Sequence, residues 1–165
     1  MADNNLILDD FIPFRLSFTS NLVSSSIARI YQSLFDLSIP EWRVLAWVAQ
    51  SDGISQRDIC GRTGMDKLTV SRASVALTDR GLFERLPNHH DRRSHLLVLS
   101  EQGRSLYAVV APKALELERT IFAGFEPDEL AQFVAMLRRI DAIALGLGSD
   151  VADADADAAP RGERS

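Results

Sequence analysis

The chain's three histidines all lie in one short stretch, residues 88–95, which reads NHHDRRSH. The same stretch contains Asp91 and two adjacent arginines, Arg92 and Arg93. Imidazole and carboxylate groups together can bind a metal ion or exchange protons, whereas guanidinium groups bind phosphates and carboxylates. The stretch is therefore a candidate metal site, acid/base site or anion-binding finger, and the elements around it decide among these.

Metal binding and catalysis are the less favoured interpretations. Neighbouring side chains in an extended segment point apart, so His89, His90 and Asp91 do not converge on one ion, and no fourth ligand is evident. The single cysteine, Cys60, excludes a multi-cysteine metal site and an internal disulfide. The sequence contains no Gly-x-Ser-x-Gly, His-Glu-x-x-His or phosphate-binding glycine loop. We predict no enzyme, no metal site and no cofactor.

Composition predicts one compact domain in a reducing, cytoplasmic setting. The 165 residues are 46% hydrophobic, which is enough for a core, and no apolar run or leader predicts a membrane span or secretion. The net charge of -5 is unevenly distributed. Residues 149–165 hold five acidic residues against two arginines, whereas residues 52–104 hold nine lysines and arginines against seven acidic residues. A basic region in an acidic chain fits DNA binding through one face.

Hydrophobic spacing and capping residues predict six helices and one hairpin. Ser38–Glu41, with the sequence SIPE, has the form of a capping box with a proline in the first turn. Ser55 and Asp58 are placed to begin a third helix, with Ile54 and Ile59 spaced as a hydrophobic staple. The predicted helices are 11–37, 38 to about 52, 55–64, 66–81, 100 to about 123 and 127–146, and the predicted strands are 83–87 and 95–100.

This order predicts a mainly α fold with a small β-hairpin wing. A short helix, a tight turn, a second helix and a hairpin make a winged helix-turn-helix, in which the second helix enters the DNA major groove. Residues 88–94 then form the tip of the wing. Arg92 and Arg93 are placed to enter a neighbouring minor groove, where narrow A·T tracts concentrate negative potential. Asp91 is the expected intramolecular partner of one of these arginines.

The helix over residues 66–81 is the predicted recognition helix. At about 100° per residue, Val70, Ala73 and Leu77 share a packing face. On the outer face, Arg72 is expected at a guanine edge and Leu68 at a thymine methyl group. An ordinary amphipathic helix with a solvated outer face is the alternative. The predicted DNA-binding residues of helix and wing are Asp66, Lys67, Leu68, Thr69, Ser71, Arg72, Asp91, Arg92 and Arg93.

The wing and recognition helix resemble those of the MarR family of bacterial transcriptional regulators. Residues 91–103, DRRSHLLVLSEQG, resemble the family's wing signature Asp-x-Arg-small-x4-Leu-Thr/Ser-x2-Gly, with Ser100 where threonine is usual. The recognition helix and first strand are also similar. The resemblance covers residues 10–147 in element order and is specific over 66–103. It implies a repressor that releases DNA when a small ligand, often a phenolic or aromatic acid, binds between the dimerisation helices and the winged domain.

The resemblance also implies a homodimer that binds a pseudo-palindromic operator. The first, fifth and sixth helices would interlock between subunits, and Arg93 would enter the minor groove. The expected organisation is a winged helix-turn-helix plus dimerisation helices: a flexible N-terminus over 1–10, a dimerisation region over 11–37 and 104–147, a DNA-binding region over 38–103, and a disordered acidic tail over 148–165.

Aromatic residues in the first two helices indicate where an inducer would bind. Arg15, between Phe14 and Phe18, can pair with a carboxylate while the rings hold an aromatic body. We predict an aromatic carboxylate, aldehyde or related acyl-CoA thioester. The alternative is that these rings belong to the core and dimer interface, with Arg15 in an ion pair. The predicted ligand-binding residues are Phe11, Phe14, Arg15, Phe18 and Trp42.

Two further hypotheses remain open at this point. Cys60 would give a redox-sensing regulator, although the sequence has no cationic cluster near it, which favours an inert buried thiol. A winged helix can also be a protein-interaction module, and a weak dependence of binding on salt would indicate this, because DNA binding releases counterions.

Overall fold

The computed structural model describes the backbone of residues 6–157 and the side chains of residues 6–147. A 3₁₀ turn at Leu8–Asp10 precedes the first helix. The six helices and three strands of this described part confirm the mainly α fold with a small sheet. In chain order they are α1 (Ile12–Phe35), α2 (Ile39–Ala49), β1 (Ile54–Ser55), α3 (Gln56–Thr63), α4 (Lys67–Asp79), β2 (Phe83–Pro87), β3 (His95–Leu99), α5 (Glu101–Ile121) and α6 (Pro127–Asp157).

The chain divides into two compact units between Glu118 and Arg119. The first unit contains the hydrophobic core, whose residues come from α1 to α5 and all three strands. The second unit is formed mainly by α6, with a ring contact between Phe122 and Phe125 before it begins. The described residues include no helix long and apolar enough to cross a membrane. The buried core residues are Tyr31, Leu37, Val44, Leu45, Val48, Ile54, Ile59, Val70, Ala73, Leu77, Leu82, Phe83, Leu97 and Val110.

Local capping bonds begin α2 and α3, as the sequence predicts. At α2, the backbone amide of Ser38 donates to Glu41 Oε2 at 2.7 Å, and the Glu41 amide donates to Ser38 Oγ at 3.4 Å. At α3, the amide of Asp58 donates to Ser55 Oγ at 3.2 Å. Gly64 ends α3 with a φ of 67°, a left-handed conformation in which a side chain would be strained.

The hairpin is part of a three-stranded antiparallel sheet with the order β1-β3-β2. Phe83 pairs with Leu99 and Pro87 with His95, which confirms the predicted hairpin. The sheet also contains β1, in which Ile54 lies opposite Leu97. The sequence did not predict this strand. Two residues are too few to show an alternating pattern. Because β1 immediately precedes α3, it attaches the wing to the start of the helix-turn-helix.

The prediction that the last helix ends at Gly146 is wrong, since α6 continues to Asp157. Gly146 does not have a positive φ, so it does not form a left-handed helix cap. A glycine with helical dihedral angles costs a helix about 1 kcal/mol relative to alanine without ending it. Residues 148–157 of the predicted disordered tail therefore belong to α6. The rest of that tail, 158–165, and the start of the predicted N-terminus, 1–5, lie outside the described residues.

The start of α5 is docked on the turn that joins α4 to β2. The Ser100 hydroxyl donates to the Gly81 carbonyl at 2.6 Å and accepts from the Gly103 amide at 2.9 Å. The Ser100 amide donates to the Leu82 carbonyl at 3.0 Å. Gly103 lies so close to this turn that an added Cβ would overlap the Leu82 carbonyl oxygen. The wing signature thus begins α5 as well as forming the wing.

We expect Gly103→Ala to destabilise the fold by about 1–3 kcal/mol, because overpacking of a close backbone contact forces the chain to shift. Thermal unfolding measures the effect. Gly61→Ala is the matched control, because a Cβ at Gly61 meets no atom within 4 Å and replaces a glycine inside α3. The control should be unchanged or more stable. Equal melting temperatures for wild type and Gly103→Ala would contradict the proposed packing.

Candidate nucleic-acid interface

The first turn of α4 is fixed by two hydrogen bonds that Thr69 donates to the Asp66 carboxylate. The Thr69 amide donates to Asp66 Oδ1 at 2.8 Å, and the Thr69 hydroxyl donates to Asp66 Oδ2 at 2.6 Å. These two bonds lower the pKa of the Asp66 carboxyl below its ordinary value of 3.8. Both residues are predicted DNA contacts, and both are engaged in capping the helix here.

The two faces of α4 are as the helical pattern predicts. Val70, Ala73 and Leu77 are buried in the core, which confirms the packing face. On the outer face, Leu68 is 59% exposed, and Arg72 is also exposed. An apolar side chain that is this exposed contributes little to the fold and is available for contact with a partner.

A cavity of ≈ 560 Å³ separates α4 from the wing. Lys67, Ser71 and Val75 line its helical wall, at a spacing of four residues that places them on one face of α4. Asp91 and Arg93 line its wing wall. The structure thus brings four of the nine predicted DNA-binding residues to a shared concave surface, which we call the helix–wing groove. Leu68 and Arg72 are not among its lining residues.

The groove also contains residues that the sequence did not indicate. Arg57, at the start of α3, and Arg85, on β2, add two cations to those of Lys67 and Arg93. The groove's other lining residues include Asp58, His95, Gln56 and Asn88. Arg57 and Arg85 were missed because they reach the groove only through the tertiary packing of α3 and the sheet. The only signal in the sequence was the charge of Arg85 within the predicted strand 83–87.

The wing tip is held by side-chain bonds to its own backbone. Asn88 Oδ1 accepts from the amides of His90 at 3.0 Å and Asp91 at 3.3 Å, and Asn88 Nδ2 donates to Ser94 Oγ at 2.8 Å. The Ser94 amide in turn donates to the Asp91 carbonyl at 3.0 Å. Asparagine side chains commonly replace backbone bonds in such turns. These bonds between residues 88 and 94 hold the shape of the tip.

Asp91 binds the backbone of Arg93 and not a guanidinium group, so the predicted pairing is corrected. The amide of Arg93 donates to Asp91 Oδ1 at 3.0 Å. A tight turn brings the amide two residues ahead within reach of an aspartate, whereas the longer arginine side chains extend away. Within residues 6–147 no ion pair is formed by Arg92 or Arg93. Arg93 lines the helix–wing groove, whereas Arg92 lines a second cavity of ≈ 510 Å³ together with His89.

The wing histidines are surface residues. His89 and His90 are both exposed at the tip. Among the described residues, no group of three His, Cys, Asp or Glu side chains is arranged to hold a metal ion. His95 lines the groove together with Arg85 and Arg93, where it can contact an anionic partner.

Three of the five predicted ligand-binding residues, Phe14, Arg15 and Phe18, lie together on α1. The rings of Phe14 and Phe18 are stacked with centroids 5.8 Å apart, and the Arg15 guanidinium carbon lies 5.4 Å from the Phe18 ring centroid. Arg15 Nη1 also lies 3.6 Å from Asp9 Oδ1 in an exposed ion pair. Phe11, which precedes α1, is 42% exposed.

Trp42 belongs to a different aromatic cluster. Its ring lies 5.3 Å from that of Tyr31 and 6.0 Å from that of Tyr107, measured between centroids. Burial raises the pKa of the Tyr31 hydroxyl. This cluster joins α1, α2 and α5 within the core. Cys60 is half-buried and packs against the same core.

A sequence model of the MarR family matches residues 35–94. The chain is also similar to the uncharacterized HTH-type transcriptional regulator YybA of Bacillus subtilis, with 24% identity over 70% of this chain and 77% of the relative. It is similar to the HTH-type transcriptional regulator PecS of Dickeya dadantii, with 27% identity over 76% of this chain and 77% of the relative.

Solved structures share the fold. A MarR/EmrR family transcriptional regulator from Acinetobacter sp. ADP1 superposes with a TM-score of 0.78 at 24% identity, over 84% of this chain and 98% of that one. CouR from Rhodococcus jostii RHA1, solved bound to p-coumaroyl-CoA, superposes with a TM-score of 0.73 at 24% identity, over 82% of this chain and 95% of that one. This likeness shows the fold, a winged helix-turn-helix with additional helices.

The cap of α4 should make the stability of the domain sensitive to acid. Because the folded state lowers the pKa of Asp66, the stabilisation is present above pH 3.8 and is lost as the pH falls through the lowered value. Asp66→Ala should therefore melt below wild type at pH 7, and the difference should narrow at pH 3. Melting curves of both proteins at the two pH values test this, and an unchanged difference would contradict it.

Proposed function

Because the chain belongs to the MarR family of winged helix-turn-helix transcriptional regulators, we propose that it is a homodimeric, ligand-responsive repressor. It binds a pseudo-palindromic DNA operator and releases it when a small aromatic acid, aldehyde or acyl-CoA thioester binds. The family consists of transcriptional regulators and not of enzymes. The proposed regulator acts in the cytoplasm.

The helix–wing groove is the observation that carries this proposal. Four cationic side chains line it, Arg57, Lys67, Arg85 and Arg93, against the carboxylates of Asp58 and Asp91. Clustered lysine and arginine side chains neutralise phosphates and release counterions, which supplies most of the affinity for DNA. With α4 in a major groove, the phosphate backbone beside it passes between α4 and the wing.

The residues of the interface divide into those that position the protein and those that read bases. Arg93 enters the minor groove, while Lys67 and Arg57 contact phosphates. Arg72, exposed on α4, bonds the O6 and N7 atoms of a guanine, and Leu68 contacts a thymine methyl group. Arg92, on the other side of the wing, contacts the phosphate backbone, and Ser71 reaches phosphate or base. Asp66, Thr69 and Asp91 act indirectly, by fixing the start of α4 and the wing tip.

Exposed apolar side chains support the homodimer. On α1, Ile12 is 65% exposed and Leu22 is 55% exposed. On α6, Met136, Ile143 and Leu145 are 51%, 63% and 76% exposed. Large apolar surfaces of this kind mark interfaces. A second copy is the occupant that suits a DNA-binding protein, because a dimer places two recognition helices about one DNA turn, roughly 34 Å, apart.

The aromatic cluster of α1 supports the proposed ligand class. Phe14 and Phe18 offer stacked rings for an aromatic body, and Arg15 offers a guanidinium for a carboxylate. Asp9 holds that guanidinium in an exposed ion pair that an acidic ligand can replace. The structurally similar CouR was solved with an aromatic acyl-CoA thioester, which agrees with this class.

Variants of two arginines test DNA binding. Duplexes enriched from a random-sequence library by the wild-type protein serve as probes. Arg93→Ala should weaken binding about tenfold and reduce the slope of log affinity against log salt by about 1. Arg72→Ala should relax base preference at one position in each half-site, where a bidentate contact discriminates by about 1–3 kcal/mol.

Arg43→Ala is the control, because Arg43 is exposed on α2 and is not among the residues that line the groove. Fluorescence anisotropy at several salt concentrations gives affinity and slope together. If the Arg93→Ala and Arg72→Ala variants bind the enriched duplexes as well as wild type does, the assignment of the interface fails.

A variant of Arg15 tests the ligand site. Calorimetry with benzoate and with p-coumaroyl-CoA measures binding to wild type and Arg15→Ala. Because hydrogen bonds to charged groups contribute about 1.5–3 kcal/mol, the loss of the guanidinium should weaken binding of an aromatic carboxylate about tenfold or more. Arg29→Ala, an exposed arginine on the same helix, is the control. Unchanged affinity of Arg15→Ala for a carboxylate that wild type binds would exclude Arg15 as its anchor.

A further inference from the structure

Arg80 joins the end of the recognition helix to the end of α1. It is the residue that follows α4, and its own amide donates to the Ala76 carbonyl at 3.1 Å. Its guanidinium crosses to α1, where Nη1 donates to the Asp36 carbonyl at 2.6 Å and Nη2 donates to the Phe35 carbonyl at 3.2 Å. One arginine therefore bonds two successive carbonyls that lie 44 and 45 positions away in the sequence.

The carbonyls that Arg80 binds are held in a fixed turn. Asp36 has a φ of 51°, and its amide donates back to the Gln32 carbonyl at 3.2 Å, while the Leu37 amide donates to the Tyr31 carbonyl at 3.3 Å. The Gln32 side chain also donates to Asp36 Oδ1 at 2.6 Å. The last carbonyls of a helix lack partners within the helix and carry its partial negative charge, so a guanidinium is well suited to them.

The residues after Arg80 bind α5. The Gly81 carbonyl accepts from the Ser100 hydroxyl, and the Leu82 carbonyl accepts from the Ser100 amide. The C-terminal end of α4 is thus bonded to the C-terminal end of α1 and to the N-terminal end of α5. A displacement of the C-terminal end of α1 must therefore either break the Arg80 bonds or move the end of the recognition helix with it.

We infer that Arg80 is a positioning residue, which sets the orientation of the recognition helix relative to α1. The inference rests on the proposed function, since it concerns how two recognition helices of a dimer match one operator. Helix α1 has 24 residues and spans about 36 Å, with the Phe14 and Phe18 rings near its far end. A tilt of α1 is therefore transmitted through Arg80 to the helix that reads DNA. Arg80 itself touches no DNA.

Two duplexes and three variants test this role. One duplex carries the full operator enriched by the wild-type protein, and the other has one half-site replaced by unrelated sequence. Arg80→Gln should bind the full operator about tenfold more weakly, because the loss of two charge-assisted bonds frees the helix orientation. Its affinity for the half-site duplex should equal that of wild type. Arg80→Lys, which keeps one donor group, should restore part of the loss.

Arg104→Gln is the matched control. Arg104 is an exposed arginine whose Nη1 donates to the Leu99 carbonyl at 2.8 Å, a bond that joins the start of α5 to the end of β3 and does not reach α1. The substitution removes the same charge and a similar bond, and binding to both duplexes should remain that of wild type. An equal loss on both duplexes in Arg80→Gln would overturn the inference, because it would indicate a lost DNA contact or partial unfolding. Wild-type affinity of Arg80→Gln for the full operator would overturn it as well.

Hydrogen exchange separates this inference from the proposed function. Failure of the wild-type protein to enrich any duplex would reject operator binding. The amides of Asp36 and Leu37 would still report on the link to α1. Faster exchange of these amides in Arg80→Gln than in Arg104→Gln, at equal melting temperature, would support the positioning role. Equal exchange in the two variants would reject it.

Discussion

The hydrogen bonds around the turn between α4 and β2 hold the DNA-facing elements in one arrangement. Ser100 binds this turn through both its hydroxyl and its amide, and Gly103 permits α5 to approach it closely. Arg80 binds the same turn to α1. The recognition helix α4, the wing, α1 and α5 therefore meet at the three consecutive residues 80–82. The position of the helix–wing groove depends on this turn, because α4, which forms one wall, ends at it and β2, the first strand of the wing, begins after it.

Local charge decides what the groove can bind, although the whole chain is acidic. The net charge is -5, yet four cations and two carboxylates line the groove. Residues 149–165 hold five acidic residues against two arginines and thus contribute -3 to this net charge. Since exposed charges are screened beyond about 8–10 Å at physiological salt, a phosphate in the groove responds mainly to the groove's own residues.

Interactions between residues close in sequence were predictable, and those that depend on packing were not. The caps formed by Ser38, Ser55 and Asp66 involve partners three residues away, so the sequence contains both members of each pair. The wing signature and the packing face of α4 were equally local. Strand β1 and the groove residue Arg85 become recognisable only once β3 has paired on both sides. The DNA and ligand contacts themselves remain predictions.

In the wing tip, the side chains that hold the loop in shape are different from those that are exposed to a binding partner. Asn88, Asp91 and Ser94 provide the side-chain bonds, and all of these go to backbone atoms or to each other. The side chains of Arg92 and Arg93 take no part in them. Substitutions at these two positions can therefore accumulate without loss of the loop conformation. The operator preference of such a protein can diverge during evolution while the scaffold that carries it stays the same.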